Sequence, residues 1–156
     1  MLFRSNDIEN IADGVFSPLE GFPVQDDFQS IVKSGRLTNG LAWTIPIIMD
    51  VDDETATNMK DAGEVVLRTG NEHFGVIEIE ETYSYDKTSV AKAIYQTNDV
   101  SHPGVMKIMG LKNRLIGGKI EVFKRIPLSP LRKFRMSPSD IKIGRASCRE
   151  RVCLAV

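Results

Sequence analysis

The residues with the most chemical potential in this chain are two histidines, a run of acids and a run of bases. His73 and His102 stand 29 positions apart. Neither lies at the close spacing that lets two imidazoles reach one metal ion from a single helix or turn. His102 precedes Pro103-Gly104 and reads as a turn residue whose ring satisfies nearby backbone groups; His73 reads as an exposed residue beside a strand. Asp52-Asp53-Glu54 offers the oxygen donors of a hard-cation site, but reads more simply as a solvated turn. Residues 107–135 hold nine Lys and Arg against Glu121, a net +8, and residues 50–81 hold ten acids against Lys60 and Arg68, a net −8. A basic block can cradle phosphate or RNA. Here the aromatic residues do not interleave the bases in an RNA-binding pattern, and Phe123 falls on an apolar alternation. The simpler reading is that the two blocks pair as strands or form a solvated face. Met106 and Met109 read as core filling, Trp43 as a core residue, and Gly14, Pro18 and Gly21 as servants of a loop backbone. The residues alone therefore nominate no catalytic, substrate-binding or metal-ligating position.

The elements that would hold these residues alternate in type. Asp7 to Asp13 reads as a short helix capped by Asn6 or Asp7, with Ile8 and Ile11 on one face and Gly14 as its stop. Residues 16–23 are turn-rich with aromatic anchors. Asp26 to Ser34 places Phe28, Ile31 and Val32 at helical spacing and ends at Gly35. Thr44 to Val51 reads as a strand in which Pro46 requires an edge or a bulge. Glu64 to Arg68 and Phe74 to Thr82 are strands, the second alternating Ile77 and Ile79 with Glu78 and Glu80. Asp86 caps a helix over 87–97. Asn98 to Gly104 is a loop, and Val105 to Gly110 one helical turn. Gly117-Gly118 divides two apolar pieces into a hairpin or a bulged strand. Short strands mixed with short helices make the class α+β, with a small barrel or folded sheet.

At 156 residues, 42% hydrophobic and 26% charged, the chain has the composition of one soluble domain with a real core. No apolar run approaches the ~20 residues of a spanning helix, and the N-terminus lacks the apolar region of a secretory signal. A net charge of −1 gives no global attraction to nucleic acid or anionic membrane. Both cysteines, Cys148 and Cys153, lie in the last nine residues, which excludes a disulfide scaffold for the body. That end has its own character. Ser137 as N-cap, Pro138 in the first turn and Asp140 as capping-box partner open a helix, yet Gly144 follows at once and no amphipathic stripe continues. Ile143 to Val152 resembles, over ten residues in order, the in-frame translation of a common sequencing-library adapter. Residues 143–156 are therefore expected to be a non-native tail. Without them the chain has 142 residues, 17 bases, 20 acids and no cysteine.

Three separated blocks carry a family resemblance. Asp7-Ile8-Glu9-Asn10-Ile11-Ala12-Asp13-Gly14-Val15-Phe16-Ser17-Pro18-Leu19-Glu20-Gly21-Phe22 resembles the N-terminal signature of the ATP sulfurylases, or sulfate adenylyltransferases. Leu37-Thr38-Asn39-Gly40-Leu41-Ala42-Trp43-Thr44-Ile45-Pro46-Ile47 continues it, and Thr97-Asn98-Asp99-Val100-Ser101-His102-Pro103-Gly104-Val105 is similar to a third block. The resemblance runs from about Asp7 to Lys142. It implies a PUA-like domain of β-barrel type with peripheral helices over residues 1–136, incomplete at both ends, and the start of a catalytic domain at 137–142. Missing N-terminal strands would leave a sheet edge unpaired.

The family joins ATP and sulfate to give adenosine 5′-phosphosulfate and pyrophosphate. A sulfate oxygen attacks the α-phosphorus, so the protein's work is to position and neutralise crowded anions. The resemblance implies Mg²⁺ with ATP for the complete enzyme and no cofactor for this chain. It also implies a cytoplasmic location, a homo-oligomeric parent and no membrane partner. The family's Gln-x-Arg-Asn-Pro, His-x-x-His and Gly-Arg-Asp motifs belong to a following catalytic domain. None occurs here; Gly144-Arg145-Ala146 departs from the last and lies in the tail. Two functions are thus in view. One is the N-terminal portion of a sulfate adenylyltransferase, inactive alone, with ATP and sulfate met only through the catalytic domain. The other is a stand-alone PUA-like module that binds RNA through block 107–135. A weaker third is a scaffold piece contributing only oligomer contacts.

Overall fold

The structure is a computed structural model that describes residues 2–124 together with Met136 and Pro138, with side chains in the first helix from Asn6 onward. The chain order is α1 (Leu2–Ala12), β1 (Gly21–Phe22), α2 (Gln25–Ser34), β2 (Met49–Val51), α3 (Asp53–Ala62), β3 (Glu64–Thr69), β4 (Glu72–Ser84), α4 (Lys87–Tyr95), α5 (Pro103–Met109) and β5 (Arg114–Val122). The five strands make one antiparallel sheet. β3 pairs with β4 and β4 with β5, while β1 and β2 both lie on the far side of β5. The α+β class stands, and among the described residues the sheet is open rather than a closed barrel.

Each face of the sheet is covered over part of its length. Ile8 and Ile11 of α1 and Ala56 of α3 pack with Phe22, Leu67, Phe74, Ile77 and Ile116 on one face. Phe28 of α2, Val90 and Ala91 of α4, and Val105 and Ile108 of α5 pack with Tyr83 and Leu115 on the other. A strand that serves two cores must change faces. β4 does so through a register shift: Ile79 pairs with Gly118 and Glu81 with Gly117, which leaves Glu80 as an extra residue. Side chains alternate with period two, so Ile77 and Tyr83 would otherwise share a face. With Glu80 inserted, Ile77 enters the first core and Tyr83 the second. The Tyr83 hydroxyl donates to the Pro23 carbonyl oxygen at 2.8 Å, so the buried phenol keeps a partner. Burial, with the charges of Glu81 and Asp27, pushes that phenol above its ordinary pKa.

Several sequence expectations are corrected. α1 begins at Leu2, so Asn6 and Asp7 lie within it rather than cap it. Thr44 to Ile48 is irregular and only Met49–Val51 is a strand. Asp52-Asp53-Glu54 is not a turn but the start of α3: the Asp52 carboxylate accepts from the Thr55 N–H at 2.8 Å. β5 runs unbroken through Gly117-Gly118, so there is no hairpin and the bulge lies opposite, in β4. Pro138 is helical. Ser137, residues 139–142, the tail and the bases of 125–135 lie outside the described residues.

α4 follows its sequence cue. The Asp86 side chain accepts from the Ser89 hydroxyl and from the Ser89 and Thr88 N–H groups. These bonds hold its carboxyl below the usual carboxylate range. Asp86→Ala should lower the Tm, and Asp86→Asn should fall between it and the parent, because an amide oxygen can accept the same bonds. A lowered folded pKa places the cap's contribution above the ordinary carboxylate range, and the contribution disappears as pH falls through the folded value. The Tm gap between parent and Asp86→Ala should therefore narrow in strongly acid solution.

Candidate functional site

α4, α5 and the irregular Ile45–Ile48 segment enclose an apolar cleft of about 450 Å³. One wall is Ile45, Pro46, Ile47 and Ile48; the other is Val90, Ile94, Tyr95, Ile108 and Leu111, with Gly104 between them. Asp7, Asp50 and Lys107 are its charged members. This volume lies within the range of small-ligand pockets.

Local chemistry fixes each wall. His102 is the N-cap of α5, its Nδ1 accepting from the Gly104 N–H at 3.1 Å, which is the role its position before Pro103 predicts. Its ring lies 4.9 Å, centroid to centroid, from that of Tyr95. A side chain at Gly104 would meet that tyrosine, since a Cβ there would lie 2.4 Å from its ring. α5 is therefore packed so closely on α4 that any larger residue at 104 would have to displace the Tyr95 ring. Lys87 of α4 secures the far end, donating through Nζ to the carbonyls of Met109, at 3.4 Å, and of Leu111. Asp50, 3% exposed, accepts from the Lys112 N–H at 2.8 Å and so fixes the chain leaving α5. Asp7 is driven above its ordinary pKa by burial, an effect that Lys107 opposes. Ile45 forms the lip and is 54% exposed.

A second cavity, about 700 Å³, lies beside the Gly14–Glu20 loop and is rimmed by Glu20, Glu64, Glu78, Glu121 and Lys119. Among the described residues no group of three or more His, Cys, Asp or Glu could hold a metal ion, and no helix is long and apolar enough to cross a membrane.

The singled-out residues do not converge on one site. His73 is exposed on β4, opposite Arg68. Trp43 is half-buried and meets Phe16 edge-on at 6.3 Å. Met109 packs against the second core, but Met106 is 59% exposed and Phe123 63%. Met106 corrects the core-filling expectation, lying on the exposed side of α5, and Phe123 lies just beyond the end of β5. The described part of the basic block is largely ion-paired. Lys112 reaches Asp52 at 2.6 Å, Arg114 reaches Asp53 at 3.5 Å, Lys119 reaches Glu20 at 3.9 Å and Lys124 reaches Glu72 at 3.1 Å. The acidic and basic blocks also pair as β4 and β5, with Glu78 opposite Lys119. The cleft itself went unseen in the sequence; its one local signal was an apolar run, Ile45 to Ile48, interrupted by proline.

The PUA-like domain model matches residues 3–125. Among curated proteins, the chain is 43% identical over 139 residues to a sulfate adenylyltransferase of Cenarchaeum symbiosum, covering 88% of this chain and 37% of that one. It is 39% identical over 140 residues to that of Staphylothermus marinus, covering 90% and 36%, and 34% identical over 137 residues to that of Halothermothrix orenii, covering 86% and 36%. The chain thus spans little more than a third of the length of these relatives. Among solved structures, a hexameric APS kinase from Thiobacillus denitrificans shares the fold, with a TM-score of 0.66 and 14% identity, over 92% of this chain and 24% of that one.

Proposed function

Because the chain belongs to the PUA-like domain family, and is similar to sulfate adenylyltransferases along most of its length, we propose that it is the N-terminal portion of such an enzyme. The observation that carries the reading is the 43% identity over 139 residues, confined to 37% of the relative. On this reading ATP and sulfate bind in the remainder of the enzyme, which neutralises the phosphates while a sulfate oxygen displaces pyrophosphate at the α-phosphorus. Mg²⁺ would enter there with ATP. Among the described residues no group of three or more His, Cys, Asp or Glu gathers around one point, and no step of the reaction is assigned to them. The complete enzyme would be cytoplasmic and homo-oligomeric. The ion pairs of Lys112, Arg114, Lys119 and Lys124 support a structural role for the basic block over an RNA surface.

The test is activity in two forms of the protein. The 156-residue chain, given ATP, Mg²⁺ and molybdate or sulfate, should release no more pyrophosphate than buffer. The complete reading frame, recovered by extending the DNA past the Lys142 codon, should form adenosine 5′-phosphosulfate. Turnover by the chain alone, or none by the complete frame, defeats the proposal.

A further inference from the structure

In the apolar cleft the three blocks of family resemblance meet. Asp7 comes from the first, Ile45, Pro46 and Ile47 from the second, and Gly104 from the third. They are distant in sequence, and the caps and close packing described above bring them together. The mouth is unfinished as a surface: Ile45 is about half exposed at its lip, above walls of Ile94, Ile108 and Leu111. The other cavity is ringed by four glutamates and Lys119, and an apolar occupant there would have to strip water from charges. In the relatives, about 63% of the length lies beyond the match. A body larger than this domain is joined to it in them, and domains joined in one chain bury surface against one another where they meet.

We infer that the cleft seats an apolar segment of the enzyme's remaining two-thirds, making it the docking surface between this domain and the catalytic portion. The inference rests on the reading under Proposed function. The occupant's chemistry follows from the lining: an aliphatic or aromatic side chain between Ile45 and Ile108, and polar groups at the rim facing Asp7 and Lys107. Docking there would couple the rest of the enzyme to α5.

The experiment compares labelling of the 156-residue chain with that of the complete enzyme, read peptide by peptide by mass spectrometry. Ile45→Cys should react with a maleimide about tenfold or more slowly in the complete enzyme, as a seated side chain reacts only on opening. Val66→Cys, at a position 53% exposed on β3 and outside the cleft, should react at similar rates in both. Acetylation of the native Lys107 amine, which needs no substitution, should fall in the complete enzyme relative to Lys60 on α3. Equal rates at Ile45→Cys in both forms, or unchanged acetylation of Lys107, overturn the inference. So does protection that vanishes on dilution to monomers, which would identify a second copy as the occupant. Failure of the complete frame to form adenosine 5′-phosphosulfate overturns the functional reading instead, and is scored separately from the labelling.

Discussion

Gly118→Ala is expected to cost about 3 kcal/mol or more of folding stability, the upper range for overpacking, because nothing around the site can yield cheaply. A Cβ at position 118 would lie 2.0 Å from the Glu78 carbonyl oxygen, 3.0 Å from the Glu78 carbonyl carbon and 3.1 Å from the Glu80 nitrogen. All three are backbone atoms of β4 at the bulge. Gly118 also pairs with Phe22 of β1, so the strand cannot retreat without loosening its other edge. At roughly 2–4 °C per kcal/mol for a chain of this length, the Tm should fall by about 6–12 °C. Gly110→Ala is the matched control. Gly110 has φ −77° and would meet its nearest atoms at 3.5 Å, so its Tm should stay near that of the parent. A Gly118→Ala protein that melts with the parent would refute the close approach of β4 and β5.

Leu115→Ala is the second large effect, expected at about 2–5 kcal/mol from lost burial and the cavity left behind. Leu115 is 0% exposed and pairs with both Asp50 of β2 and Tyr83 of β4. It packs in the core that α2, α4 and α5 share. In urea titration the midpoint should fall with little change in slope, since the surface exposed on unfolding stays nearly the same. Val66→Ala, at an exposed position on β3, should stay within about 0.5 kcal/mol of the parent. Against a total stability of about 5–15 kcal/mol for a domain, either Leu115→Ala or Gly118→Ala removes a large share.

What the sequence made legible were the elements whose signals are local. α2 and α4 carry a buried stripe beside a cap or a stop, and Gly35 at φ 66° ends α2 where its position predicts. β3 and most of β4 follow from alternation. α3 was hidden because Ala56 is its one buried residue among the described positions, so it shows no apolar stripe; Asp52 with acids in the first turn was the available cue. Ile45 to Ile48 has a strand's composition and yet forms the cleft wall, a tertiary outcome that no local propensity encodes. The hairpin or bulge expected at Gly117-Gly118 gives way to a continuous strand for a related reason. Gly117 and Gly118 look like a break, but they are small so that Pro23, Val24 and Glu78 can come close. The cleft was invisible because its members are drawn from positions 7 to 111, and only the packing of α5 unites them.

The place of β5 governs how the domain can be made. Gly21 finds its partner at Lys119 and Met49 at Ile116, so two early strands wait for one of the last described residues to be synthesised. On the ribosome, the β3–β4 hairpin can pair as soon as it emerges, whereas β2 has no complete template until residue 116, and β1 none until residue 119, has cleared the exit tunnel. At about 5–20 residues per second, the nascent chain carries Phe22, Val51 and Ile77 uncovered for several seconds. Long-range pairing of this kind also slows folding after release. The interval before β5 arrives is therefore when this domain has most need of a chaperone.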